Sequence, residues 1–458
     1  MTPKIGKVAE DATVMTFARA ANSFLSLLTL VIVVRILGKS EYGLIVLARS
    51  IVNTAEIFLS FGILDFVVAE ISLERGNGHL GQAKAIIIRY SKVEIVIGII
   101  LFLLILSAAI YIRRGLFREL LLLSSSFVII TAMSNILRVV FNSHFNFKST
   151  SLMSISRSSS CLVLVIVFGY WLELGPKWIM LAYVLSSAIA ILYAFHGYMR
   201  IMQNYVMVPE VADEKFWKNL ISRGKWVGSS FVIKTFTDGV AVWVPQVILG
   251  SESVAIFNIA KKAYSHTIAI LASIERILLT LIPQEISDIQ LTKRIVNRST
   301  KYSLWLSVLL ILIAVPLARP TFHLLFSGRY SSSAAIFQIL ILVSCLQGLN
   351  IAMRPLFLAL HAVRYLCIVY AVSFIVFTCF AVILTPVYGL YGMSLVFILN
   401  GLLAFLLRYM YIRRIGIRIL FADMFRFNED DRRLIKEILS TVRCKIGQAI
   451  RGCYRVGT

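Results

Sequence analysis

The fold class predicted from the sequence is an all-α membrane protein of about twelve transmembrane helices in two six-helix lobes with a pseudo-twofold repeat. Three observations lead there. The chain has 458 residues, 59% of them hydrophobic and 15% charged, and its mean hydropathy of +0.85 exceeds what a soluble core requires. Apolar stretches of about 20 residues, the length that crosses a hydrocarbon layer as a helix, recur along the chain. A polar, basic interruption at 203–225, which contains Pro209, divides them into two equal groups.

In order, the expected spans are 14–35, 42–64, 91–112, 117–141, 150–172 and 177–200, then 219–249, 251–283, 301–321, 332–358, 364–385 and 389–412. The start, MTPKIGKVAEDATVM, mixes both charge signs and lacks the short apolar core of a cleaved signal, so the first span is expected to be retained. The expected organisation is a lobe over 1–202, a cytoplasmic linker over 203–218, a second lobe over 219–413 and a basic amphipathic tail over 414–458. In the tail, Asn428 suits an N-cap, and Leu434, Ile435, Ile438, Leu439, Val442, Ile446 and Ile450 recur at helical spacing. This predicts a helix lying on the anionic inner leaflet or docking a biosynthetic partner.

Lys and Arg number 46 against 23 Asp and Glu. With the N-terminus inside, about 28 of the cations fall on inner segments and about 8 on outer ones, which places both termini in the cytoplasm and requires an even number of spans. The membrane therefore accounts for the basicity, and nucleic acid is not an expected partner. The outer connections are too short for a soluble catalytic domain and the chain has no Asp-x-Asp pair, so it is not expected to be an enzyme. Six cysteines and six histidines are scattered without metal-ligand spacing. Neither a metal nor a cofactor is expected.

Ile36-Leu37-Gly38 aligns with Ile248-Leu249-Gly250, laying RILGKSEYGLIVLARS over VILGSESVAIFNIAKK, with Arg49 over Lys261. A repeat at the first hairpin of each half suits a transporter with its site between the halves. Charges inside spans are functional candidates because they are costly unless they face a cavity or a partner. Arg49 and Glu56 lie two turns apart on one helical face, and Lys234 and Asp238, four apart, are expected to meet. Arg35, Arg157 and Arg408, near span ends, are expected to snorkel to headgroups. Among the first, second, seventh and eighth spans, the cations Arg19, Arg49, Lys234, Lys261, Lys262 and Arg276 outnumber Glu56, Asp238 and Glu275. Such a cavity suits an anionic phosphate or pyrophosphate headgroup.

RILGKSEYGLIVLARSI followed by FGILDFVVAEIS resembles the first hairpin of the polysaccharide-biosynthesis flippases, which include the O-antigen flippases of the multidrug/oligosaccharidyl-lipid/polysaccharide exporter superfamily. SVAIFNIAKKAYSHTIAIL with LIPQEIS is similar to that family's eighth span, although Ala255 and Phe257 replace its usual Gly and Tyr. LLFSGRYSSSAAIFQIL and TPVYGLYGMSL resemble later segments in the same order. The resemblance implies two six-helix lobes packed as a V, and a flippase carrying a lipid-linked oligosaccharide, such as a lipopolysaccharide repeat unit on a polyprenyl carrier, across the plasma membrane. Gly38, Glu41, Tyr42 and Gly43 match its hairpin motif and read as a connector, with Gly serving backbone turning. The headgroup-binding candidates are Arg49, Lys261, Arg19, Lys234 and Arg276, and the ion-coupling candidates for H+ or Na+ are Asp238, Glu56 and Glu275. Expected partners are the lipid-linked oligosaccharide, membrane lipids and a glycan polymerase or ligase. The alternative is a multidrug or small-molecule cation antiporter on the same fold, for which a cavity of opposite sign is expected.

Overall fold

In a computed structural model, the backbone is described over residues 5–415 except 62–63, 114, 211–214, 285–287, 327 and 361, and side chains are described there except at 5–17, 60, 65, 215–224, 276, 280 and 283–284. The expected tail helix lies outside the described residues. Among those described, every regular element is helical.

The first half comprises α1 (Ile5–Ile36), α2 (Lys39–Ser60), α3 (Leu64–Gly76), α4 (Leu80–Tyr111), α5 (Leu116–Ser143), α6 (Phe147–Ile166, ending in a π-turn to Trp171) and α7 (Pro176–Gln203). The second comprises α8 (Lys215–Leu249), α9 (Ser251–Thr267), α10 (Ala269–Gln284), α11 (Ile289–Phe326), α12 (Ser331–Leu340), α13 (Val343–Asn350), α14 (Met353–Ala359) and α15 (Val363–Arg414).

Local chemistry sets several boundaries. Gly38 caps α2, and the Glu41 carboxylate reaches back to accept its N–H at 2.9 Å. Asn146 caps α6 by accepting from the Ser149 N–H at 3.2 Å, and Pro176 opens α7 where no intrahelical N–H is needed.

Ten helical stretches among the described residues are long and apolar enough to cross a membrane. Two further crossings complete the expected twelve. The α9–α10 pair, 251–284, is interrupted by Ile268 and carries Lys261, Lys262 and Glu275. The 52 residues of α15 would extend about 78 Å as one helix, far beyond a bilayer. Instead Gly389, at φ 59° and ψ −140°, reverses the chain. The reversal is tight enough that a Cβ on Gly392 would stand 2.2 Å from the Leu384 carbonyl oxygen. At the far end of this hairpin, the Tyr365 hydroxyl donates to the Leu407 carbonyl at 2.8 Å and the Tyr365 and Tyr411 rings stack at 4.2 Å.

The protein is thus a multi-pass membrane protein of two six-helix lobes. Each lobe packs within itself, and α2 against α8 and α9 carries most of the contact between them, supplemented by α1 against α11. Ile99, Ile100, Leu103 and Leu104 on α4 are each about half exposed, a surface that suits lipid rather than water. The chain leaving α7 is tied to the first lobe. Lys84 donates to the Val208 carbonyl at 2.6 Å, and the His144 ring meets the Tyr205 hydroxyl at 2.9 Å. Burial, aided by Arg75, lowers His144 to about 4, so this tie is uncharged at neutral pH.

Candidate functional site between the lobes

Residues from both lobes enclose a cavity of about 590 Å³. Leu30, a residue of α1, lines it, as do Tyr42 to Thr54 in part from α2, Phe127 from α5, Arg157 to Cys161 in part from α6 and Tyr183 from α7; the second lobe supplies Asp238 and Val242 from α8 and Asn258, Lys261, Lys262 and Ser265 from α9.

At one end the lobes are closely joined. A Cβ on Gly43 would fall 1.9 Å from the Ser251 carbonyl oxygen, so this glycine permits contact between the starts of α2 and α9. The Ser40 and Ser251 hydroxyls meet at 2.7 Å, and the Tyr42 hydroxyl donates to Asn258 Oδ1 at 3.0 Å. Arg35 crosses from α1 to donate to the Leu324 and Leu325 carbonyls at 2.7 and 2.9 Å, where the C-terminal end of α11 favours a cation. At the opposite end, Gly228 on α8 lies against the Phe61 carbonyl, and the Phe58 and Phe236 rings meet edge to face at 6.2 Å.

Four cations line the cavity, Arg49, Arg157, Lys261 and Lys262, against one carboxylate, Asp238. Arg49 donates to Asn53 Oδ1 at 2.9 Å, lies 3.7 Å over the Phe127 ring and stands 3.8 Å from Glu56, while its Nη1 is buried without a hydrogen-bond partner. This rigid, partly unsatisfied guanidinium is suited to accept oxygens of an anion. Lys261 is neutralised by Asp238 at 2.7 Å. Lys262 donates to a neutral hydroxyl, that of Tyr42 at 3.4 Å.

Several expected placements change. Asp238 pairs with Lys261 on α9, not with Lys234, because its carboxylate turns across the cavity while Lys234 is exposed and does not line it. Arg19, two turns before the cavity residues of α1, is also exposed outside the lining. Glu275 faces Arg354 at 3.3 Å, away from the cavity, and Glu56 reaches it only through Arg49. The side chain of Arg276 lies outside the described residues.

The three arginines expected to snorkel do otherwise. Arg157 enters the cavity, Arg35 joins the lobes, and Arg408 is 9% exposed, donating to Asn350 at 3.3 Å and lying over Tyr370. For Arg157 the signal was present in its surroundings, Ser154, Ser158, Ser159 and Ser160, a polar patch in the middle of α6. Gly38, expected to turn the backbone, has an ordinary φ of −67°, while its counterpart Gly250 has φ 85°.

A family model described as polysaccharide biosynthesis protein matches residues 8–290, well over half of the chain. The chain belongs to that family. A search of curated proteins finds no match. Among solved structures, the chain is similar to an inward-facing multidrug resistance MATE family transporter of the MOP superfamily, with TM-score 0.73 and 13% identity over 86% of this chain and 95% of that one. It is similar to the lipid II flippase MurJ in an inward-closed conformation, with TM-score 0.69 and 13% identity over 87% of each chain. A MOP superfamily transporter from Pyrococcus furiosus gives TM-score 0.63 and 14% identity over 88% and 95%. At these identities the likeness establishes a shared fold, and the polysaccharide-biosynthesis assignment rests on the family match.

Proposed function

We propose that this protein is a flippase that moves a lipid-linked oligosaccharide, an O-antigen-type repeat unit on a polyprenyl phosphate or pyrophosphate, across the plasma membrane by alternating access. The observation that carries this reading is the cavity between the lobes, with four cations and one carboxylate within the membrane-spanning region. A cationic cargo would meet net repulsion there, which disfavours the antiporter alternative. An anionic headgroup would gain charge-assisted bonds from Arg49, Arg157 and Lys262, and hydroxyls such as Ser158, Ser186 and Ser187 would serve the first sugar. The lipid tail would stay in the bilayer while the lobes rock. With both termini in the cytoplasm, the end closed by Arg35, Gly43 and Ser251 faces outward. A polymerase or ligase would receive the glycan there.

The reading is tested by the pool of finished lipid-linked oligosaccharide in cells lacking the gene. Accumulation on the cytoplasmic leaflet is expected, with rescue by the wild-type protein and failure of rescue by Arg49→Ala/Lys262→Ala at equal protein level. An unchanged pool in the deletion strain removes the assignment.

A further inference from the structure

The acids inside the spans differ in one respect. Glu56 faces Arg49 at 3.8 Å, Asp238 faces Lys261 at 2.7 Å and Glu275 faces Arg354 at 3.3 Å. Glu94, on α4, faces no cation among the described residues. It is 0% exposed, the Tyr90 hydroxyl one turn earlier donates to its Oε1, Asn135 Nδ2 on α5 donates to the same oxygen at 3.5 Å, and its Oε2 is buried with no partner.

The charged groups on the elements around it are engaged elsewhere or lie outside reach. On α2, Arg49 and Glu56 hold each other, and Lys39 and Glu41 sit at the far end. On α3, Arg75 donates to the Ser143 carbonyl and Glu74 meets His79, while Glu70, itself an acid, offers no counter-charge and the Asp65 side chain is outside the described residues. On α5, Glu119 pairs with Lys177, Arg118 lies in the first turn, beyond the reach of Glu94, and among the described residues no ion pair joins Arg138 to Glu94. On α4 itself, Lys84 is bound to the Val208 carbonyl, Arg89 has its own partner and Lys92 is exposed.

A carboxylate buried without a counter-ion carries a desolvation cost comparable to that of breaking a buried ion pair, and the neutral acid avoids it. The side-chain contacts of Glu94 among the described residues are one hydroxyl and one amide nitrogen, too few oxygens to replace the hydration shell of a metal cation. We propose that Glu94 is a proton-binding site of the first lobe, separate from the central cavity, with Oε2 carrying the proton in the state seen here. Release breaks the O–H bond on Oε2 and passes the proton to water, leaving a carboxylate held only by Tyr90 and Asn135.

The site's position gives that charge a consequence. Tyr90 packs with Val67 and Ile71 of α3, and Gly98, one turn beyond Glu94, faces Leu59 of α2 and Ala132 of α5. Glu94 therefore lies beside the break between α2 and α3, where Phe61 adopts φ 43° and its carbonyl meets Gly228 of the second lobe. Deprotonation favours any rearrangement that admits water at this break, and such a rearrangement alters the contact between lobes. This consequence, though not the site itself, rests on the transporter reading.

The test is pH-difference infrared spectroscopy of the full-length protein in lipid nanodiscs, which needs no transported substrate. A carboxylic C=O band that disappears as pH rises is expected in the wild type, lost in Glu94→Gln and shifted to higher frequency in Tyr90→Phe, which removes the hydrogen bond to Oε1. The same band persisting in Glu94→Gln overturns the proposal. If Glu94→Gln fails to fold, an unshifted band in Tyr90→Phe overturns it instead. A titrating Glu94 together with an unchanged oligosaccharide pool in the deletion strain would keep the proton site and remove the flippase, and the converse pair of results would do the opposite.

Discussion

The starts of α2 and α9 are the same piece of chain used twice, and their differences separate what a repeat preserves from what it leaves free. Both begin at a glycine cap, both run along the lobe interface, and both carry a cation into the cavity at the aligned position. Arg49 is buried against Phe127 and Glu56 with one nitrogen unsatisfied, whereas Lys261 is cancelled by Asp238 and its neighbour Lys262 is left to face the cavity. The backbone path is repeated. The charge that remains available is not at the repeated position in the second half.

The largest expected effect comes from joining the two helices. Cysteines at Ser40 and Ser251, whose hydroxyls meet at 2.7 Å, are expected to form a disulfide, in a background with the native cysteines replaced, and to abolish glycan export until a reductant is added. Export unaffected by complete cross-linking would mean that this contact does not open during the cycle.

A smaller effect sharpens the difference in charge. Lys262→Ala is expected to reduce export by about tenfold or more, the value of one lost charge-assisted bond, and Lys261→Ala/Asp238→Asn, which removes the neutralised pair without changing the net charge of the cavity, by less. Equal losses would show that the Lys261–Asp238 pair separates in the state that binds cargo. The smallest effect concerns the caps. Gly250→Ala forces a side chain to φ 85° and is expected to lower stability by about 1 kcal/mol, while Gly38→Ala, at φ −67°, changes thermal unfolding little.

Much of the fold was legible because hydropathy and helix length are local properties. Most of the expected spans match helices, including the pair hidden in α15, where the apolar run is too long for one crossing, but 42–64 runs past the end of α2 at Ser60, 251–283 covers both α9 and α10, and 332–358 covers α12 to α14. The repeat located the two helices that meet at the interface. The site was only partly legible. Arg157 appeared to lie at a span end, yet α6 starts at Phe147 and carries it into the cavity. The spacing of Lys234 and Asp238 permitted a pair on one helix, but an acid takes the cation its surroundings provide, here one from α9. In the sequence Glu94 is one intramembrane acid among several, and its contacts with Tyr90 and Asn135 in place of a cation are set by the helices packed against it.

The sequence by itself determined that this chain crosses a membrane many times, that its halves share a first hairpin and that cations outnumber acids inside its spans. Each follows from composition and periodicity, which the bilayer reads one helix at a time. The tertiary structure alone decided which charges cancel, which face the cavity and which is left buried without a partner. Inside a membrane the electrostatic setting of a side chain is supplied by the helices packed against it, and those contacts, such as Asp238 with Lys261 or Gly43 with Ser251, join residues far apart in the chain.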